Sequence, residues 1–303
     1  MEKIKLTANK DDKNLRLDIF VLNNMPNLTR ARIKNLIEAG DILLGGKVVK
    51  CGEKIKEGAI VDICIPDATP LNLDPVMVEF EIVYEDQDLL VINKPQGLVV
   101  HPCASNKENT LVNGLLFRVD NLSGINGKMR PGIVHRLDKL TSGLMLVAKN
   151  DMAHIDLSKQ IETKACKRKY FALLEGVVGF DEREIKTNIG RSEKDRKKMA
   201  VVPEGKGKVA ISHVQVVKRF SRYTLCEFSL KTGRTHQIRV HSKHIGHPVV
   251  GDEVYGTKDK KFGLSGQLLH SHFIEFTHPR TKEVMSFDCD LPDYFKNVIN
   301  SIK

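Results

Sequence analysis

The chain has 303 residues, 41% hydrophobic and 28% charged, which suits a globular protein with one or two real cores, and it shows no internal repeat or low-complexity tract. No apolar run approaches the length of a bilayer span, and the opening Met1-Glu2-Lys3-Ile4-Lys5 lacks the apolar centre of a secretory leader. A formal net charge of +10 calls for an anionic partner, nucleic acid first.

Six cysteines at 51, 64, 103, 166, 226 and 289 are scattered with no C-x-x-C pair, so the expectation is reduced thiols in a cytoplasmic protein, with neither disulfides nor zinc. Residues 1–12 read as a polar tail. Leu15 to Leu22 predicts a short helix, and Thr29 is placed to cap a second, from Arg30 to Ala39, closed by Gly40 in a left-handed conformation. Ile33, Leu36 and Ile37 form that helix's apolar stripe, and Arg30 and Lys34 share the opposite face. Ile42–Leu44, Lys47–Val49 and Ile60–Ile65 predict hairpin-like strands. This first unit, 13–66, is followed by a linker over 67–78, since Pro66 to Pro75 holds three prolines in ten residues.

From 79 to 303 the pattern is mostly strands. Ile82–Tyr84 and Leu89–Ile92 flank an Asp-rich turn, Thr110 can cap a helix through Leu116, and 121–128 reads as a loop. Two short apolar segments, Gly132–Val134 and Leu144–Ala148, predict buried strands on either side of the polar quartet His135-Arg136-Leu137-Asp138. A carboxylate there, beside Arg136 and Lys139, would be kept ionised by those cations. A helix over 152–163, strands near 170–174, 214–216 and 226–230, a basic loop at 192–198, and a helix from Thr235 to Ile245 capped by Thr235 complete the chain. Without regular β-α alternation, the expected class is α+β: a small N-terminal αα-β domain, then a domain with a mixed, mostly antiparallel sheet flanked by helices and loops.

The stretch Pro131 to Gly143 resembles the HRLD motif of the RluA-type RNA pseudouridine synthases, the large-subunit rRNA enzymes in particular. Asn93-Lys94-Pro95-Gln96-Gly97 through Pro102, Lys169-Tyr170-Phe171-Ala172, Thr232 to His241, and Gly246-His247-Pro248 through Gly251-Asp252 and Tyr255-Gly256 match the same family in order. Leu140 departs from it, standing where the family usually has an acidic residue. The N-terminal unit resembles the S4 RNA-binding domain through Thr29-Arg30-x-x-Ile33-x-x-x-Ile37-x-x-Gly40 and Gly58-x-x-Val61-x-Ile63, with Gly45 where asparagine is common.

The resemblance implies an isomerase that detaches uracil N1 from ribose C1′ and rejoins the ribose to C5, a redox-neutral change needing no cofactor. It implies Asp138 as the essential carboxylate, acting on C1′, on the base or on the C2′ proton, and these alternatives stay open. It nominates Arg239 as the partner of Asp138 and Tyr170 as the ring that stacks on the base. Arg136 is implied to replace the flipped uridine or hold a phosphate, with Arg234, Arg191, Arg30 and Lys34 as further RNA contacts. The expected substrate is 23S rRNA, free or in a pre-ribosomal particle, and the expected state is a monomer without membrane or nucleotide partners. Histidines 236, 241, 244 and 247 lack an accompanying carboxylate and sit beside Arg239 and Lys243, so no metal is expected. Two other classes compete. One is a non-catalytic S4-type RNA binder or ribosome assembly factor; the other is a glycosidase or nucleosidase, which would need a second acid.

Overall fold

A computed structural model describes residues 2–25, 30–65, 74–103, 106, 108–119, 122–123, 131–193, 195, 198–257 and 261–303, the side chains of 2, 30–32 and 35 excepted. The chain separates into two compact units, Met1–Pro70 and Leu71–Lys303.

In the first unit, β1 (Glu2–Thr7), α1 (Leu17–Asn24), α2 (Arg30–Ala39), β2 (Ile42–Leu44) and β3 (Ile60–Ile65) form a helix pair on an antiparallel sheet of order β1-β3-β2. Leu17, Phe20 and Val21 from α1 meet Ile33, Leu36 and Ile37 from α2 and Val61 and Ile63 from β3 in one core. Gly40, at φ 81°, ends α2, and the next amide (Asp41) donates to Leu36 O at 2.9 Å. The expected polar tail is instead strand β1. Its exposed Lys3 and Lys5 alternate with half-buried Ile4 and Leu6, and two apolar residues suffice for an edge strand whose lysines discourage further pairing. The strand expected at 47–49 is also corrected: Lys47 makes a single bridge to Leu44, Val48 is 64% exposed, and β2 pairs with β3. The Thr29 cap lies outside the described residues, as does most of the expected linker. Its described end already belongs to the second unit, because the Val76 amide donates to Asn113 O and the Asn113 side chain to Asp74 O.

The second unit contains β4 (Glu81–Glu85), β5 (Leu89–Lys94), α3 (Leu111–Arg118), β6 (Ser142–Ala148), α4 (Asp151–Thr163), β7 (Lys167–Glu175), β8 (Glu182–Arg191), β9 (Met199–Val202), β10 (Lys208–Arg219), β11 (Tyr223–Leu230), α5 (Gln237–His244), β12 (Leu269–Thr277), β13 (Val284–Asp288) and α6 (Asp293–Ser301). The strands form a ten-stranded sheet, β4-β5-β6-β12-β7-β11-β10-β8-β9 with β13 beside β12. Only β6 and β12 run parallel among these pairs, so the sheet is mixed and mostly antiparallel and the class is α+β. β6 is buried at every residue because both faces are covered. Met145 and Val147 pack with Leu111, Val112 and Leu115 of α3; Leu144, Leu146 and Ala148 pack with Ala153 and Leu157 of α4. Thr110 caps α3 in a capping box with Asn113, and Asn150 caps α4.

Two further expectations change. Gly132–Val134 is a turn with one bridge, Ile133 to Val147, since Gly132 sits at φ 70°. Thr235 does not cap α5: His236 holds the cap position at φ 57° with no side-chain cap, while Gln237 Oε1 accepts from the Arg234 amide.

One lateral row positions the site. Gly143 on β6 pairs with Ser271 on β12, which pairs with Tyr170 on β7. A Cβ at Gly143 would lie 2.2 Å from the Ser271 carbonyl oxygen, so only glycine lets β12 approach here. Strands spaced about 4.8 Å apart then bring Tyr170 within two strands of the loop before β6.

Burial keeps three imidazoles neutral. It pushes His135 down to about 3 and His241 and His270 down to about 4, from 6.5. The unfolded chain takes up these protons first on acidification, so stability is full above pH 6.5 and erodes below it, by up to about 1.4 kcal/mol per pH unit for each group. Urea midpoints followed by circular dichroism are expected to fall steadily from pH 7 to 5, and His241→Gln to flatten the fall; a midpoint constant over that range would contradict it.

Candidate functional site

The loop 135–141 carries its polar side chains on an anchored backbone. The Lys94 ammonium, fully buried at the end of β5, donates to Pro95 O, Leu98 O and, at 3.3 Å, Lys139 O. Burial pushes Lys94 down to about 7 against the pull of the Asp138 carboxylate. The Gly97 amide also reaches Lys139 O, and Gln96 Nε2 reaches Leu140 O. His135 Nε2 accepts from the Leu146 amide, and the Thr141 amide closes onto Asp138 O. Leu137 is buried beneath, and Leu140 packs against Gly266. The Asn93–Leu98 motif therefore supports the backbone of the Asp138 loop.

Asp138 opens into a cleft of about 450 Å³ lined by both segments of the sequence-based expectation, 134–138 and 230–239, together with Arg168 and Tyr170. Arg239, on the first turn of α5, donates from Nη1 to Asp138 Oδ2 at 3.2 Å. Its Nε and Nη2 donate to Asp252 Oδ2 at 2.7 Å and Oδ1 at 2.8 Å. Side-chain exposure is 7% for Arg239, 18% for Asp138 and 0% for Asp252. Burial opposes the guanidinium charge, but the hydrogen bonds and charge of Asp252, then of Asp138, outweigh it and raise Arg239 above its usual pKa. Asp252 Oδ1 also accepts from the Val254 and Tyr255 amides. One carboxylate is thus consumed in holding the arginine, and the other faces the cleft with one bond.

His236 stands beside them, Nε2 3.9 Å from Asp138 Oδ2 and Nδ1 2.8 Å from the Tyr255 hydroxyl. The Tyr255 oxygen accepts from the Met199 amide, and its O–H is free to donate to Nδ1; that assignment puts the His236 proton on Nε2, toward Asp138. Tyr170 is 5% exposed and lines the cleft, its hydroxyl pKa raised by burial. Arg136 is exposed at the cleft, and Arg234 lines it with Nε donating to Val209 O. Arg191 ends β8 and does not line the cleft. In the first unit Lys34 is exposed and lies 3.6 Å from Glu38; Arg30 opens α2 and its side chain is not described.

The sequence assigns no site role to Asp252, Tyr255, His236, Lys94 or Arg168. Asp252 and Tyr255 stand in the family-matching Gly251–Gly256 segment, His236 in Thr232–His241 and Lys94 in Asn93–Pro102; Arg168 directly precedes the matching Lys169–Ala172. No periodicity distinguishes them: Asp252, Tyr255, His236 and Lys94 each act through a partner elsewhere in the chain, and Arg168 is set apart by the cleft it lines. His241 and His247 hydrogen-bond within the fold, His241 to Ser212 and Thr187 and His247 to Glu175 O. Among the described residues, Asp86, Asp88 and His278 bring ligating atoms together, but Arg280 grips Asp88 through two bonds, depressing its pKa to about 2. Among the described residues no helix is long and apolar enough to cross a membrane.

The two carboxylates on Arg239 predict different costs. Removing one partner of a fully buried pair strands the other charge, so Asp252→Ala is expected to cost about 3–5 kcal/mol. Asp138→Asn keeps Arg239 on its bidentate partner and is expected to cost about 1 kcal/mol or less. Urea denaturation of both variants decides this, and equal losses would refute the division of labour.

The family profile described as RNA pseudouridylate synthase matches residues 88–244, and that of the S4 domain matches residues 15–61. A Bacillus subtilis protein named uncharacterized RNA pseudouridine synthase YlyB is 43% identical over 303 residues, spanning 100% of this chain and 99% of its own. The ribosomal large subunit pseudouridine synthase D of Neisseria meningitidis serogroup A is 40% identical over 312 residues, 99% of this chain and 82% of that protein. Human RNA pseudouridylate synthase domain containing 1 shares the fold, with a TM-score of 0.58 at 23% identity over 74% of this chain and 94% of that one. With an S4 domain ahead of a matching catalytic unit, the chain belongs to the RNA pseudouridine synthases, isomerases that act on RNA.

Proposed function

We propose that this synthase converts specific uridines of the 23S large-subunit rRNA to pseudouridine at Asp138. The observation that carries the reading is the Asp138 carboxylate, 3.2 Å from Arg239 at the wall of a cleft with Tyr170 and Arg136 on its lining. The names of relatives such as the Neisseria enzyme support the choice of RNA.

The reaction breaks C1′–N1 and makes C1′–C5; C5 gives its proton to solvent and N1 takes one up, so neither composition nor oxidation state changes. A carboxylate suits each way of loosening the glycosidic bond: attack on C1′, as in retaining glycosidases, attack on the base, or removal of the C2′ proton. Arg239 orients Asp138 and meets its charge, while Asp252 fixes the guanidinium. Tyr170 offers its ring to the uracil. A base inside RNA structure must leave its stack to reach the cleft, and exposed Arg136 fills the space it vacates. Arg234 and Arg191 contact phosphates on this unit. Arg30 and Lys34 do so on the S4 unit, adding affinity without sequence information.

Large-subunit rRNA transcribed with uracil tritiated at C5 tests the reaction. Tritium release with intact strands and no free base is the expected result. Free uracil would indicate a hydrolase, and no reaction a binding protein. Asp138→Asn is expected to abolish release while leaving RNA affinity within about threefold, since Asp138 acts on the reacting centre rather than on the RNA backbone; turnover in that variant would remove the proposed role.

The S4 contacts are read separately. Arg30→Ala with Lys34→Ala is expected to weaken binding and lower the slope of log K against log salt by about 1.4–1.8, the loss of two phosphate contacts. An unchanged slope would return that helix face to ordinary solvated surface.

A further inference from the structure

Arg168 sits on β7 two residues before Tyr170 and on the same buried face, 6% exposed. Its guanidinium lies beside Gly233 and lines the cleft that holds Asp138. Among the described residues nothing pairs with it: its Nε is buried without a hydrogen-bond partner, and no carboxylate forms an ion pair with it. His135, on the same lining, presents a second unmet donor. Its Nε2 accepts the Leu146 amide, so the neutral ring carries its proton on Nδ1, which is likewise buried and unpartnered.

An unpaired buried cation is expensive. Two unmet donors on residues that line one cleft form a site awaiting an anion. Two residues along a strand span about 7 Å, the scale separating a nucleobase from its own phosphodiester, so with Tyr170 on the base Arg168 falls at the backbone. A full negative charge offsets a guanidinium far better than a carbonyl does. On the reading of the site given above, we infer that Arg168, with the Nδ1–H of His135, binds the phosphodiester of the target nucleotide and so sets the depth at which the uridine sits against Asp138.

The test compares the full-length wild type, Arg168→Met and Arg168→Lys by thermal melting without RNA, by binding of a large-subunit rRNA transcript across a salt series, and by single-turnover tritium release. Arg168→Met relieves the stranded charge, so its melting temperature is expected to rise. Its RNA binding is expected to weaken about 10- to 100-fold, the value of one charge-assisted contact, with a salt slope lower by about 0.7–0.9. Its rate at saturating RNA is expected to fall as well, by about 10- to 100-fold, because a uridine no longer held at its depth meets Asp138 out of position. Arg168→Lys keeps the charge and should recover the slope, though not all of the affinity.

A lower melting temperature for Arg168→Met would make Arg168 a structural residue. Unchanged affinity and slope would exclude the phosphate, and a lost rate with intact affinity would move the contact to the base. Melting and binding need no turnover. A wild type that releases no tritium would therefore sink the proposed reaction and leave these two readouts to judge Arg168 alone.

Discussion

One guanidinium divided between two carboxylates is the constraint on which the site depends. Arg239 gives Nε and Nη2 to fully buried Asp252 and one remaining edge to Asp138. Buried charge is costly unless paired and hydrogen-bonded, and Asp252 meets that demand, with two backbone amides completing its own valences. The arginine is thereby fixed before any substrate arrives, which is what electrostatic preorganisation requires. Asp138 can then be partly open, since it does not have to hold the arginine in place.

The rest of the unit converges on that arrangement by backbone rather than by side-chain chemistry. Lys94 ties the Asn93–Leu98 segment to the carbonyl of Lys139, and Gln96 takes the carbonyl of Leu140. Gly143 lets β12 come close enough to set Tyr170 in line with the loop. A loop stitched this way costs little to hold in one conformation, and the strands beneath it, covered by α3 and α4, supply the rigidity. Against this satisfied framework the open valences of Arg168 and His135 stand out, and they lie on the cleft.

Much of the fold could be read in advance. The 3.6-residue stripe of Ile33, Leu36 and Ile37, the cap at Thr110, and the unbroken apolar run of β6 are local signals, and each has its physical counterpart in the structure. The failures have local causes too. Alternation in β1 is masked by its edge lysines. The apolar look of Gly132–Val134 hides a positive φ at Gly132, and a threonine in the right place at 235 loses the cap to a strained His236. Propensity is a weak prior at such points because the surrounding fold overrules it.

The site divides along the same line. By itself the sequence determined the α+β class and the family, because residue type and spacing within short windows carry that information, and the resemblance to that family nominates Asp138, Tyr170 and Arg239. Only the tertiary structure decided that Asp252 rather than Asp138 anchors the arginine, that Lys94 supports the loop, and that Arg168 has no partner among the described residues. Those are statements about which charge is desolvated beside which other. Across separations such as the 101 residues between Asp138 and Arg239, the folded chain alone sets the distances and burial that decide them.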